Sequence, residues 1–171
     1  MTYTDTMAKF AQLTEDEAVK ILNLYDTGQL DRDRLITLLV GLLVVRADEA
    51  AQLADVALAT QMSELRNQVV APLGLTTDLD ATAAQLEPEV EEAVDSDNRA
   101  YAVAVLGRAL IMGTAQNAFH TGMQIHGVTT WKRVPNRGAC EVCEDLASGL
   151  VSINDVMWTH KGCGCTQQPI K

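Results

Sequence analysis

Soft metal ligands are concentrated in the last quarter of the chain, which contains all four cysteines and one of the three histidines. They form a Cys-x2-Cys pair and, sixteen residues later, a His-x2-Cys-x-Cys group: Cys140, Cys143, His160, Cys163 and Cys165. Two close ligand groups joined by a loop are typical of structural zinc sites, in which each group occupies a tight turn. We therefore predict one structural zinc ion bound by four of these five residues.

Disulfide bonds are the alternative to a metal at these cysteines. A reducing cytoplasm disfavours disulfides, and CxxC and CxC turns beside a histidine fit a metal better. A protein that is carried out of the cell would meet oxidising conditions, so two disulfide bonds remain the second interpretation. The spacing does not choose which two of His160, Cys163 and Cys165 would complete a metal site.

The sequence shows no catalytic motif. A catalytic zinc keeps one coordination position open and a general base nearby, but the chain contains neither HExxH nor the His-x-Glu of zinc deaminases. It also lacks Gly-x-Ser-x-Gly and a phosphate-binding loop. His120 and His126 have no His, Asp or Glu three or four positions away, so we interpret them as ordinary histidines. We expect a protein that is not an enzyme.

The charge distribution divides the chain into an acidic helical body, residues 1–130, and a Cys/His-rich C-terminal module, residues 131–171. The whole chain has 13 Lys and Arg against 23 Asp and Glu, a net charge of −10, whereas the module alone carries a net charge of +1. Gly149 predicts the turn of a short β-hairpin with Leu150, Val151 and Ile153 in its strands. A module of about 40 residues has little core, so metal binding would decide its folding.

Apolar residues recur at helical spacing through the acidic body. Capping signals place helix starts at Thr14, near Asp31 and at Asp48, and the first helix is expected to end at Gly28. The run from Leu35 to Val45 is apolar nearly all round, which is typical of a helix that is buried on most sides or lies in an interface.

Two further helices are expected after a break at Pro72. A short acidic helix should cover residues 81–94, and a long helix should start at a cap on Ser96 or Asp97 and run to about Ile125. The predicted fold is therefore mainly α, a bundle of four or five helices followed by the small zinc-binding-like module.

No apolar run is long enough for a membrane span, because the longest has 11 residues and a bilayer requires about 20. The N-terminus lacks the features of a signal peptide, so we expect synthesis in a cytoplasm. The acidic balance argues against a protein that coats nucleic acid. Only the C-terminal module, which we call the tail from here on, offers cations for a weak DNA contact, namely Lys132, Arg133, Arg137 and Lys161.

The tail resembles the C-terminal end of the phage Mu F-like minor head proteins, also called phage head morphogenesis proteins. The matched stretch runs from about Arg108 to Ile170, and its shared features are Gly127-Val128, Trp131, the cysteine pair, Leu146, Gly149, the His-x2-Cys-x-Cys group and Pro169. The chain departs from the family where Arg108-Ala109-Leu110 replaces Arg-Thr-Glu, Lys161 replaces Pro, and Gly164 replaces Arg.

The resemblance implies a minor structural protein of a tailed phage, made in the host cytoplasm and incorporated into the procapsid. Its place would be in the virion, inside the capsid near the portal, with the portal or the major capsid protein as partner. The apolar surface of the body also predicts self-association or another protein contact. Two other classes stay open: a head maturation protease, and a zinc-stabilised nucleic-acid-binding or regulatory protein.

Overall fold

The computed structural model describes residues 2–159 and 163–170, which contain four long helices, one short helix and one small sheet. The helices of the body are α1 (Tyr3–Asp26), α2 (Arg32–Arg66), α3 (Leu79–Asp95) and α4 (Arg99–Ile125). The tail follows with β1 (Thr130–Val134), the short helix α5 (Glu141–Leu146), β2 (Leu150–Ser152) and β3 (Thr166–Ile170). The prediction of a mainly helical protein with a small C-terminal β element is confirmed.

None of the helices in the described ranges contains a segment long and apolar enough to cross a membrane.

The first helix starts earlier than its predicted capping box. Thr2 is the cap: its hydroxyl accepts from the Asp5 N–H at 3.1 Å, and the Asp5 carboxylate accepts from the Thr2 N–H at 3.0 Å. Thr14 instead lies inside α1, fully buried, and its hydroxyl donates to the Phe10 carbonyl at 3.1 Å. The predicted start at Thr14 is wrong because a threonine can satisfy its hydroxyl within a helix and pack its methyl group in the core.

A single helix of 35 residues replaces the two predicted between residues 31 and 66. Asp31 caps it as predicted, accepting from the Arg34 N–H at 2.8 Å. The predicted helix start at Asp48 is wrong, because this carboxylate accepts from the Thr77 N–H at 2.9 Å, outside the helix. A carboxylate that bonds to another segment leaves the hydrogen bonds of its own helix intact.

A buried carboxylate fixes the segment that connects α2 to α3. Asp55 is 2% exposed and accepts from the N–H groups of Leu73, Gly74 and Leu75 at 3.0, 2.7 and 3.1 Å. Hydrogen bonds to a charged group contribute about 1.5–3 kcal/mol each. The chain break predicted at Pro72 is therefore an ordered strap that runs back along α2.

The junction between α3 and α4 differs from the prediction by a few residues. Ser96 ends α3 instead of capping α4, and the cap of α4 is Asn98, which makes no side-chain capping bond. Neither Ser96 nor Asp97 is the helix start that the sequence indicated. Gly127 follows the end of α4 with a φ of +69°, in agreement with the expected stop.

Ion pairs between helices involve four of the eight basic residues of the body. Arg32 pairs with Asp95, Arg46 with Glu17, Arg99 with Asp26, and Arg108 with Glu15. Each of these arginines joins two different helices. The acidic residues of the body outnumber its basic residues by more than two to one, so an acidic surplus remains beside these pairs.

Two apolar clusters fill the interior. One lies among α1, the first half of α2, α3 and the start of α4, and includes Leu39 and Val90. The other combines α1, the second halves of α2 and α4, and the tail, and includes Phe119, Trp131 and Met157. The tail therefore buries its apolar side chains against the helical body.

The tail sheet is antiparallel with β1 in the centre, in the order β2-β1-β3. Leu150 and Val151 lie in a strand as predicted, but Gly149 does not turn a hairpin, and Ile153 lies beyond the strand. The residues before Gly149 belong to α5 and its end, so β2 finds its partner in β1. The central strand is thus a segment for which the sequence suggested no partner.

The close contact between α4 and α2 at Gly122 gives a stability prediction. A Cβ at Gly122 would clash with the Cδ2 atom of Leu58, which is fully buried. We expect Gly122→Ala to lower the free energy of unfolding by about 1–3 kcal/mol, because overpacking strains a closed core. Gly113→Ala in the same helix is the control, since its Cβ would meet no atom within 4 Å. Denaturant unfolding should show the control unchanged or slightly stabilised; equal losses in both variants would contradict the packing argument.

Candidate metal centre

Three cysteine side chains meet in the tail. The Sγ atoms of Cys143, Cys163 and Cys165 all lie within 4.8 Å of one another, and all three residues are buried. The Sγ atoms of Cys143 and Cys163 are 3.8 Å apart, whereas a disulfide bond is about 2.0 Å long. Three sulphur atoms grouped in this way could bind a metal ion.

Cys140 lies at the edge of the same site. It is exposed, contacts the Cys143 side chain, and lines a pocket of about 130 Å³ together with the three buried cysteines. The structure therefore brings all four predicted cysteine ligands to one pocket. The fifth predicted ligand, His160, lies outside the described residues.

Local structure turns each cysteine pair toward this pocket. Cys140 precedes α5, and its carbonyl accepts from the Cys143 N–H at 2.9 Å, so the first turn of this helix brings the two residues together. In the other pair, Gly164 separates Cys163 from Cys165. A Cβ at Gly164 would be 2.9 Å from the side-chain nitrogen of Asn136, so a larger residue here would have to displace the Asn136 side chain.

A buried arginine faces the cysteines. Arg133 is 4% exposed, and one guanidinium nitrogen donates to the Sγ atoms of Cys143 and Cys163 at 3.5 and 3.7 Å. The other terminal nitrogen donates to the carbonyl of Trp158. Arg133 and Trp131 are two positions apart on β1, so both side chains point to the buried side of the strand.

The burial of Arg133 corrects the predicted basic patch. A guanidinium that is directed into the core toward sulphur atoms cannot also contact a phosphate, so the assignment of Arg133 to a DNA contact is wrong. Of the other predicted cations, Arg137 is exposed and Lys132 is partly buried. Lys161 lies outside the described residues.

The grouped thiols change one another's pKa. The hydrogen bond with the Cys165 thiol lowers the pKa of Cys163 to about 5, and the Arg133 charge acts in the same direction. The same interaction raises the pKa of Cys165, and burial raises the pKa of Cys143. The lowered pKa favours the thiolate form of Cys163, which is the form that binds metal ions.

Hydrogen bonds to two consecutive residues connect this site to the helical body. The amide nitrogen of Gln116 in α4 donates to the Cys165 carbonyl at 2.9 Å. The hydroxyls of Thr4 in α1 and Thr166 in β3 are 2.6 Å apart, and this contact is also buried. The start of β3 is thus held by the first and the fourth helix, directly beside the cysteine cluster.

Neither the contact of Gln116 with the Cys165 carbonyl nor the burial of Arg133 among the cysteines was evident from the sequence. Gln116 lies on a helix whose apolar spacing gave no reason to examine a polar residue, and it became relevant only when β3 was placed against α4. The burial of Arg133 could have been inferred from its position two residues after Trp131, because residues two apart lie on the same side of an extended segment.

Comparison with known proteins assigns no family to the chain. No protein-family model matches the sequence, and no match was found among curated proteins or among solved structures.

Proposed function

We propose that the four cysteines bind one structural zinc ion that holds the tail on the helical body. The observation that carries the proposal is the spacing of the sulphur atoms. Zinc binds cysteine at about 2.3 Å with tetrahedral geometry, which separates neighbouring sulphurs by about 3.8 Å. The Sγ atoms of Cys143 and Cys163 are separated by 3.8 Å.

The ligand set that we propose is Cys140, Cys143, Cys163 and Cys165, because all four line the same pocket. Four sulphur ligands close the coordination sphere of zinc, as in structural sites, and leave no position for a substrate or a reactive water. The role of the site would then be structural, because the bound ion would join α5 to the start of β3. His160 is the predicted ligand that this set omits.

The first experiment measures metal content. Protein purified without chelator should contain about one zinc per chain, and Cys143→Ser should lose the metal, because three sulphurs bind it less tightly. His160→Ala is the matched control and should keep the zinc. Loss of zinc in the histidine variant would contradict the four-cysteine set, and disulfide crosslinks in metal-free, folded protein would establish the alternative interpretation.

We further propose that the chain is a non-enzymatic minor head protein of a tailed phage, located inside the capsid near the portal. The resemblance of the tail supports this proposal. Several residues that carry the resemblance are those that build the tail: Gly127 ends α4, Val128 is buried, and Trp131 lies opposite Pro169 in the sheet. These matched positions therefore contribute to the same element of the structure, the attached tail.

The two alternative functions have less support. A zinc-stabilised nucleic-acid-binding protein requires exposed cations, and the burial of Arg133 removes one of the four in the predicted patch. The acidic body would also repel a phosphate backbone. The maturation protease remains an alternative that no arrangement among the described side chains favours.

A test of the phage assignment uses particles from the phage that encodes the chain. Mass spectrometry should detect the protein in mature particles or in immature heads. Deletion of the gene should leave the capsid protein able to polymerise but reduce the yield of DNA-filled particles. Absence of the chain from both kinds of particle would contradict the proposal.

The outward side of α2 is the surface that we propose for contact with the portal, the capsid or a second copy. Leu38, Val45 and Val56 are each about half exposed. They are seven and eleven residues apart, which is about two and three turns at 3.6 residues per turn, so they lie on one side of the helix. A partner that covers them would remove apolar surface from water.

Sedimentation velocity tests this surface. Val45→Lys should weaken self-association, or binding to the purified portal or capsid protein, because a charge would be buried in the contact. Val69→Lys is the control, since Val69 is 95% exposed in the α2–α3 segment. A wild-type protein that stays monomeric and binds neither head protein would contradict the assignment of this face.

A further inference from the structure

We propose that Arg133 is a positioning residue of the metal centre, which holds two ligand sulphurs and offsets the negative charge of the metal–thiolate group. The inference rests on the proposed metal site and deepens it. It gives a specific role to a residue whose type and position first suggested a contact with DNA.

The geometry fixes the Arg133 side chain at both ends of its guanidinium. One terminal nitrogen is 3.5 Å from the Cys143 sulphur and 3.7 Å from the Cys163 sulphur. The other donates to the carbonyl of Trp158. A planar guanidinium that is anchored on one side presents its remaining N–H groups in a fixed direction. The two sulphurs that it contacts come from different ligand pairs, so Arg133 sets their relative position.

The charge balance supports the same role. A buried cation is strongly unfavourable unless an anion lies close to it. Within residues 2–159 and 163–170, none of the ion pairs with carboxylates includes Arg133. The sulphur atoms are therefore its nearest candidates for a negative partner. Four thiolates around a divalent ion carry a net charge of −2, which one guanidinium reduces to −1.

The same balance distinguishes a metal from disulfides. Oxidation of the cysteines to disulfides would remove the negative charge of the sulphurs and leave the buried guanidinium facing neutral atoms. A thiolate-bound metal keeps that charge permanently. The position of Arg133 thus favours the reduced, metal-binding form of the four cysteines.

Cobalt(II) is the probe for the experiment, because its bond to cysteine sulphur gives a charge-transfer absorption band. In the full chain, Arg133→Gln should reduce the affinity for Co(II) by about 10–100-fold, the usual effect of losing a hydrogen bond to a metal ligand. The charge-transfer band should move to lower energy, because sulphur atoms without N–H donors release electrons more readily. Arg133→Lys should restore part of the affinity, since a lysine keeps the charge but not the planar arrangement of donors.

Arg137→Gln is the matched control, because it removes the same charge from an exposed position in the same part of the tail. It should leave the affinity and the band unchanged. If Arg133→Gln does not fold, Arg133→Lys decides: a shifted band with reduced affinity supports the proposal, and wild-type values of both overturn it. Wild-type values in Arg133→Gln would likewise overturn the role of Arg133 while leaving the metal site intact. Failure of the wild-type chain to bind Co(II) or zinc would overturn both proposals.

Discussion

The structure depends on how a tail with little apolar surface of its own is attached to a bundle of helices. Trp131 contributes to this attachment because it is buried in the same apolar cluster as Phe119. Buried polar contacts add to the attachment, because Gln116 bonds to the Cys165 carbonyl and Thr4 bonds to Thr166. The cysteines lie directly beside these contacts, at the start of α5 and just before β3. A metal at that point would stabilise the attachment as well as the local turn, which is the usual contribution of a structural site to folding free energy.

In the acidic body, by contrast, helix packing and interhelical ion pairs hold the elements together. Four of its six arginines are engaged between helices, as in the pair of Arg46 with Glu17. The strap held by Asp55 shows that even the connection between helices is fixed by buried charge. From an acidic helical body with a cysteine-rich tail we propose a structural component of an assembly.

Much of the candidate site could be predicted from cysteine spacing, because Cys140 and Cys143 are close in the chain and so are Cys163 and Cys165. Ligands that are near in sequence need only a local turn to come together, and such turns have recognisable residues. Arg133 could not be identified in the same way. Its contacts with Cys143 and Cys163 span ten and thirty residues, and a basic residue on a short strand looks the same in sequence whether it points outward or inward.

Helical spacing and capping chemistry in the sequence determined the helical class, the cap at Asp31 and the stop at Gly127, and the short spacing within each cysteine pair determined that its two members lie close together. These are local properties, decided by residues within a few positions of one another. Tertiary structure decided that the Asp48 carboxylate bonds to the segment after α2 instead of starting a helix, and that Thr14 is buried in the core inside α1. It also decided which strand pairs with β2 and what surrounds the cysteines. Those outcomes depend on contacts between distant segments, which the order of residues alone does not specify.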